Sequence, residues 1–343
     1  MLTGGEWTSR WIDGYGMVTM TAYRQDKETF GKFMLALLKN SKVYAPLNKD
    51  VVRFSQLTNE DIPNIYLEKN AYFPLKEYFF RHQQTLFTFK KNDLQPIIEE
   101  EPARVFFGVR KCDLNAIHHQ DMVFLQDAKD PYYAAARKNV LLFGYHCDEA
   151  PSPHCFCGSL NLVDCYDLMF YDKGDYFLIE VGSEKGQDIV DKHASFFVQG
   201  RKVTQEEKQI RNADRLLKHD ISALYDHPDW QKGVKLCLSC AACTALCPTC
   251  YCFDIHDELS TKDPTAGERI RQWSSCQLPE FTKVAGNHIF RQDRAQRFKH
   301  RIYHQLDYFK QKYGIQLCVG CGRCIEGCPT RIDFVQIINE MNP

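Results

Sequence analysis

Two stretches of the sequence repeat one cysteine pattern, and this repeat is the strongest chemical signal in the chain. Cys237 begins the first run, CLSCAACTALCP, and Cys318 begins the second run, CVGCGRCIEGCP. Both have the spacing C-x2-C-x2-C-x3-C-P, which is typical of bacterial ferredoxins with two iron–sulfur clusters. In that arrangement three thiolates of a run bind one cluster and the fourth thiolate binds the other.

This rule predicts two [4Fe–4S] clusters with crossed ligands. The ligands predicted for the first cluster are Cys237, Cys240, Cys243 and Cys328. The ligands predicted for the second cluster are Cys318, Cys321, Cys324 and Cys247. Paired C-x2-C elements also build zinc ribbons, but a zinc knuckle needs two cysteines and each run here supplies four, followed by proline. The spacing therefore favours iron–sulfur clusters over zinc.

A second group of cysteines lies in the first half of the chain. Cys112 follows an apolar stretch at 104–110, Cys147 ends another at 139–147, and the next loop carries Cys155 and Cys157. Two strand ends and one tight loop can bring four thiols together, with backbone N–H groups of the following residues available to sulfide. From the residues alone, three interpretations stay open: a third cluster, a zinc site, or buried free thiols.

Four further cysteines have no complete ligand set. Cys250, Cys252 and Cys276 lie close to the first run in sequence, but no fourth cysteine completes a cluster with them. We expect them to pack beside a cluster, or to exchange with one of its ligands. Cys165 begins an apolar hairpin, and core packing is the expected role of its thiol.

The elements that must position these cysteines can be predicted from hydrophobic periodicity. Helices are expected at 27–40, 187–197 and 205–219, short buried strands at 104–110 and 139–147, and a hairpin at 167–182. Strand signals are nearly absent after residue 230, so the segment between the two runs is expected to be mostly helical. We predict an α+β protein in three parts: an extension of unknown role at 1–20, a mixed α/β domain at 21–230 and an α-helical ferredoxin domain at 231–343.

Composition and charge exclude several classes of function. The chain has 343 residues and 43 basic against 44 acidic side chains, so no global field attracts nucleic acid or an anionic membrane. There is no signal peptide pattern and no run of about 18 apolar residues, and sixteen clustered cysteines suit a reducing compartment, so a cytoplasmic protein is expected. The sequence contains neither a G-x-G-x-x-G motif nor a P-loop, so no motif indicates a nucleotide site.

A basic stretch precedes the second run. Its cationic residues are Arg291, Arg294, Arg297, Lys299, His300 and Arg301. We expect the solvated face of an amphipathic helix that turns Phe290, Phe298, Ile302 and Leu306 inward. The alternative is a docking face, or a source of positive charge beside a cluster.

The order of these motifs resembles one family over roughly residues 65–340. The motifs are GVRKCDLNAI, HCDEAPSPHCFCGS, CLSCAACTALCPTCYCFD, ERIRQWSSCQ, VAGNHIFR and YGIQLCVGCGRCIEGCPTRIDF. They are similar to the iron–sulfur electron-transfer component of anaerobic sulfite reductase and to the β subunit of cytoplasmic sulfhydrogenase. The resemblance implies a third [4Fe–4S] cluster on Cys112, Cys147, Cys155 and Cys157. It also implies electron transfer between a flavoprotein subunit that binds NAD(P)H and a catalytic subunit, either a sirohaem sulfite reductase or a NiFe hydrogenase.

These observations predict an electron-transfer subunit without a catalytic site of its own. The preferred complex is an anaerobic sulfite reductase, and a sulfhydrogenase is the alternative. A hypothesis from a different class is an enzyme whose N-terminal cluster has an open iron that binds substrate. The relay requires four protein ligands at that cluster, whereas the enzyme requires three.

Overall fold

The computed structural model describes residues 21–126, 128–218 and 220–342. The extension predicted at 1–20 lies outside the described residues. The strands are β1 (Ala22–Asp26), β2 (Lys42–Asn48), β3 (Val52–Gln56), β4 (Gln83–Lys90), β5 (Asp93–Pro96), β6 (Arg104–Val109), β7 (Val140–Tyr145), β8 (Leu168–Asp172), β9 (Tyr176–Val181), β10 (Val198–Gln199), β11 (Phe253–Leu259) and β12 (Ala266–Trp273).

The α-helices are α1 (Lys27–Leu38), α2 (Lys111–Phe124), α3 (Pro131–Arg137), α4 (Glu184–Lys192), α5 (Trp230–Leu236), α6 (Ala242–Ala245), α7 (Arg294–Tyr303), α8 (Phe309–Tyr313), α9 (Arg323–Glu326) and α10 (Phe334–Glu340). One π-helical turn, His304–Tyr308, joins α7 to α8. Single turns of 3₁₀ helix lie at Asn59–Asn64, Leu75–Tyr78, Cys157–Ser159, Ala194–Phe196, Glu206–Lys208, Ser222–Leu224, Pro279–Thr282 and Ala285–Asn287.

An eight-stranded mixed sheet forms the centre of the first half, in the order β10-β1-β9-β8-β7-β6-β2-β3. Its central strands β2, β6, β7 and β8 are parallel. All six residues of β6 are buried, as expected for a parallel strand covered on both faces. Helix α1 packs its apolar side, including Phe33 and Leu37, on one face, and α2 packs Leu114 and Ile117 on the other.

A second, four-stranded sheet has the order β11-β12-β4-β5 and is antiparallel throughout. It joins a hairpin from the second half of the chain to a hairpin from the first half, so it crosses the boundary predicted at residue 230. The C-terminal helices pack around Trp230, Phe298 and Tyr303, in a core that also includes Phe156 and Leu160 of the first half. No helix of the described residues is long and apolar enough to cross a membrane.

The α+β class is confirmed, and so are the helix at 27–40, the strands at 104–110 and 139–147 and the hairpin at 167–182. Two expectations are wrong. Of the helix expected at 205–219, the described part, 205–218, contains one 3₁₀ turn and otherwise irregular chain, since this very polar stretch has little apolar surface to pack. The first part of the segment between the two runs is the hairpin β11–β12, and the expected helices, α7 and α8, begin only at Arg294. Pairing with β4 stabilises these strands although their own sequence is highly charged.

Candidate metal centre

The two cysteine runs adopt the same backbone conformation. In the first run Ser239 and Ala241 have positive φ angles of 51° and 65°. At the equivalent positions of the second run, Gly320 and Gly322 have φ angles of 65° and 73°. The short helices α6 and α9 follow at equivalent places. Two left-handed residues in each run therefore curl the chain around its first three cysteines.

Equivalent hydrogen bonds reach equivalent sulfur atoms in the two runs. The backbone N–H of Ser239 donates to Sγ of Cys237 at 3.4 Å, and that of Gly320 donates to Sγ of Cys318 at 3.5 Å. Such donors stabilise a thiolate and are a means of tuning a bound cluster.

The fourth cysteine of each run has a threonine partner. Oγ1 of Thr249 lies 3.3 Å from Sγ of Cys247, and Oγ1 of Thr330 lies 3.5 Å from Sγ of Cys328. Each threonine follows the proline of its run, so the C-P-T sequence is used in the same way twice.

One cavity gathers all eight cysteines of the two runs. These residues are Cys237, Cys240, Cys243, Cys247, Cys318, Cys321, Cys324 and Cys328. The other lining residues are mainly apolar, among them Phe156, Phe298 and Ile302. An all-thiol donor set of eight in a largely apolar cavity fits two [4Fe–4S] clusters, which take four cysteines each.

Burial makes several of these thiols poor acids, so bound metal has to supply the driving force for their deprotonation. Burial raises the pKa of Cys318 to about 12 and that of Cys243 to about 11. A coordinated thiol is deprotonated outright by the positive charge of the metal. We therefore expect proton release when the clusters are inserted.

Arg301 brings a positive charge to the cavity. Its Nη2 donates to the carbonyl oxygen of Cys243 at 3.2 Å, and its Nε is buried without a hydrogen-bond partner among the described residues. Burial lowers the pKa of the guanidinium, but the thiolates of Cys247, Cys243 and Cys324 outweigh burial and hold the pKa above its usual value. The expected solvated basic face is therefore wrong for Arg301.

Arg297 is the second inward-facing cation of that stretch. It is buried and donates from Nε to the carbonyl oxygen of Gln277 at 2.9 Å. Phe290, expected inside, is exposed, because α7 begins only at Arg294. The other three predicted core residues, Phe298, Ile302 and Leu306, are buried as expected.

The third predicted ligand set lies at one edge of the large sheet. Cys112 opens α2 directly after β6, and Cys147 follows β7. Because β6 and β7 are adjacent and parallel, their carboxyl ends meet at the same edge. Cys155 and Cys157 follow in the next loop, and the thiolates of Cys155 and Cys147 each raise the pKa of Cys157 in addition to the larger effect of burial.

The loop 154–157 packs directly on the second run. The N–H of Phe156 donates to the carbonyl oxygen of Gly320 at 2.8 Å, and Sγ of Cys155 lies 3.8 Å from the carbonyl oxygen of Cys321. A Cβ atom built on Gly320 would lie 2.5 Å from the backbone nitrogen of Cys157. The second run therefore needs glycine here, because the two loops are in backbone contact.

A buried ion pair fastens α2 to the same run. Both guanidinium NH2 groups of Arg323 donate to the Asp113 carboxylate at 2.7 Å, and its Nε donates to the carbonyl oxygen of Ala71 at 2.7 Å. The two side chains are 3% and 2% exposed. Asp113 follows Cys112 and Arg323 precedes Cys324, so the pair joins two of the predicted ligand sets.

The three unassigned cysteines lie together. The thiol of Cys252 is within hydrogen-bonding reach of the thiols of Cys250 and Cys276. Lys76 is buried beside them: its Nζ donates to the carbonyl oxygens of Cys250 at 3.3 Å and Thr244 at 3.2 Å. Burial lowers the pKa of Lys76, and the neighbouring thiols oppose this effect.

Cys165 stands apart from the other cysteines. It is buried in the core on the α2 face of the large sheet, and burial is the main reason that its pKa is raised. Among the described residues, no three histidine, cysteine, aspartate or glutamate side chains converge on a point that suits a single metal ion.

Sequence reasoning missed the charged residues around the cysteines. Lys76, Asp113 and Arg323 look like surface residues in a linear sequence, and their burial depends on contacts across as many as 252 positions. The one available signal was their position, since Asp113 and Arg323 each adjoin a predicted ligand.

Comparison with known proteins identifies the class of protein to which the cysteine runs belong. Residues 236–332 match the family model of the 4Fe-4S dicluster domain. The chain is thus an iron–sulfur protein whose two cysteine runs form a dicluster domain. Over 329 residues the chain is 32% identical to sulfhydrogenase 2 subunit beta of Pyrococcus furiosus. The alignment covers 92% of this chain and 96% of that protein. The chain belongs to the sulfhydrogenase β-subunit family, as an iron–sulfur electron-transfer subunit.

Proposed function

We propose that the chain is the electron relay of a multisubunit oxidoreductase and carries three [4Fe–4S] clusters. The observation that supports this best is the backbone contact between loop 154–157 and the second run, since it joins the third ligand set to the dicluster cavity. When bound, each cluster supplies a one-electron carrier. We assign Cys112, Cys147, Cys155 and Cys157 to the third cluster.

In this proposal the protein holds and tunes the carriers. The left-handed turns of both runs direct N–H groups at Cys237 and Cys318, and the apolar lining of the cavity excludes water. Arg301 adds positive charge beside ligands of both clusters and should raise their reduction potentials. No step of bond chemistry is required of any side chain.

We further propose that a flavoprotein subunit with an NAD(P)H site lies on one side of the relay and a catalytic subunit on the other. The similarity to a sulfhydrogenase subunit favours a NiFe hydrogenase in the catalytic role. A sirohaem sulfite reductase was the expectation from motif resemblance. Purification of the native complex distinguishes them, because one contains nickel and the other sirohaem.

The cluster number is tested by anaerobic reconstitution. The wild-type chain should hold about twelve irons and twelve sulfides, four of each per cluster. Cys155→Ser should lose about four irons, whereas Cys165→Ser, a buried cysteine outside every predicted set, should keep all twelve. A wild-type content of eight would overturn the third cluster, and bound zinc without sulfide would overturn the whole proposal.

The competing enzyme hypothesis is tested at the same site. Single replacements of Cys112, Cys147, Cys155 and Cys157 should each remove or alter the third EPR signal. If one replacement leaves that signal unchanged, and added substrates shift it, the site has an open iron and the relay proposal is wrong.

A further inference from the structure

The two cysteine loops share a backbone conformation, but among the described residues only the second loop is covered by other parts of the chain. In the second loop Leu317 and Val319 flank Cys318 and are 0% and 2% exposed. In the first loop Leu236 and Leu238 flank Cys237 and are 52% and 63% exposed. The same apolar positions are thus buried in one loop and open to solvent in the other.

The cysteines themselves show the same difference. Cys321, at the centre of the second loop, is buried. Its counterpart Cys240 is exposed, and it is the one cysteine of the described residues in that class. The first cluster therefore has a ligand at the protein surface.

The segment that covers the second cysteine loop indicates what kind of segment could cover the first. Loop 154–157 lies there, donates a hydrogen bond from Phe156 to Gly320 and carries two predicted ligands of the neighbouring cluster. On the first loop, no hydrogen bond from the described residues reaches the carbonyl oxygen of Ser239, the counterpart of Gly320. A loop from another protein can occupy the equivalent place.

The charged residues near the first loop indicate the charge of a partner that would bind there. Lys235, Arg294 and Arg331 are exposed, and none of them forms an ion pair with a carboxylate of the described residues. Arg294 donates to the carbonyl oxygen of Cys237 at 3.1 Å, and the N–H of Arg331 donates to that of Cys328 at 3.0 Å. Lys235 and Arg294 thus lie beside the exposed apolar residues, and Arg331 follows Cys328, a predicted ligand of the same cluster.

We propose that these residues form a docking face for a redox protein partner. The face consists of Leu236, Leu238 and Cys240 with the basic rim Lys235, Arg294 and Arg331. The partner presents its own redox centre on an apolar loop rimmed by acidic side chains, in the manner of loop 154–157 on the second run. This inference rests on the proposed relay function and adds the place where electrons enter or leave it.

A flavodoxin is a suitable probe, because it is an acidic protein with an exposed flavin edge. Reduced flavodoxin is mixed with the oxidised, reconstituted chain and electron transfer is followed by stopped flow. The second-order rate constant should fall with rising salt, as expected for attraction between opposite charges. Binding of oxidised flavodoxin, measured by calorimetry, provides a readout that does not depend on electron transfer.

The variants are paired with matched controls. Leu238→Glu places a carboxylate in the centre of the face and should lower the rate constant and the affinity by about tenfold or more. Leu94→Glu changes a leucine of similar exposure, 59%, in β5 and should stay within about twofold of wild type. Lys235→Glu should slow transfer and weaken its salt dependence, whereas Lys39→Glu, at the end of α1, should do neither.

Two measurements separate the possible failures. If the wild-type chain lacks clusters, or if dithionite does not reduce them, the relay function itself is wrong. If every variant has full clusters that dithionite reduces normally, and Leu238→Glu behaves like Leu94→Glu, the docking face is wrong and the relay stands. Failure of the wild-type chain to bind flavodoxin also overturns the face.

Discussion

Removal of the Arg323 guanidinium is the sharpest test of how the two halves of the protein are joined. Arg323→Met keeps a long apolar side chain but leaves the Asp113 carboxylate, 2% exposed, without its cation. Breaking a buried pair in this way costs about 3–5 kcal/mol of the free energy of unfolding. The ratio of folded to unfolded protein should therefore drop by roughly 10²- to 10⁴-fold.

The chain offers a control with the same chemistry at the surface. Arg269 makes a bidentate ion pair with Asp257 at 2.7 and 2.8 Å, but the two side chains are 43% and 37% exposed. Arg269→Met should cost no more than about 1 kcal/mol, because water replaces the lost partner. Both pairs are bidentate with nearly equal distances, so burial is the main difference between them.

Anaerobic urea titrations followed by circular dichroism measure both variants, with iron content recorded for each sample. In the double variant Asp113→Leu/Arg323→Met no charge is left buried, so it should be more stable than Arg323→Met alone. It should not recover fully, because the carbonyl oxygen of Ala71 also loses its donor. Equal shifts for Arg323→Met and Arg269→Met, or a double variant equal to the sum of the single ones, would refute this reasoning.

Three further predictions follow from individual contacts. Gly320→Ala combines a positive φ with a backbone clash at Cys157, so it should destabilise the protein by about 2–4 kcal/mol and cause loss of clusters. The control Gly174→Ala also has a positive φ, 84°, but no atom lies within 4 Å of the added Cβ. It should cost about 1–2 kcal/mol and retain iron. Burial, and to a smaller extent the nearby His118 ring, lowers the pKa of His119 to about 4. As the pH falls, this histidine therefore takes up a proton in the unfolded chain before it does so in the folded protein. The free energy of unfolding should therefore fall by on the order of 3 kcal/mol as the pH drops from about 6.5 to about 4. Urea titrations at pH 7 and pH 5 measure this loss. His119→Gln should make the loss smaller, and the control His288→Gln should leave it unchanged. Cys252→Ser should leave the iron content of reconstituted protein unchanged, whereas Cys321→Ser should remove about four irons; equal losses would make Cys252 a cluster ligand.

Local patterns predicted the parts of the fold that local physics determines. The spacing within each run specifies a loop around Cys237 or Cys318, and the short apolar runs at 104–110 and 139–147 predict the strands beside which Cys112 and Cys147 lie. That these strands are adjacent and parallel is seen only in the structure. The hairpin β11–β12 escaped because its strands are exposed and charged, and pairing with β4, far away in sequence, stabilises them. Side-chain pairs such as Arg323 with Asp113 escaped for the same reason, since no periodicity encodes a single long-range contact.

The buried cations show why the cysteines and the fold depend on one another. Lys76 and Arg301 form no ion pair with a carboxylate of the described residues, and both lie beside cysteines. An isolated buried charge is strongly unfavourable unless an opposite charge compensates it. Neutral thiols, whose pKa values burial raises, cannot supply that charge, but thiolates bound to iron can. Metal binding thus provides anions at Cys247, near both Lys76 and Arg301, and at Cys243 beside Arg301, so the predicted ligands and these two cations stabilise one another.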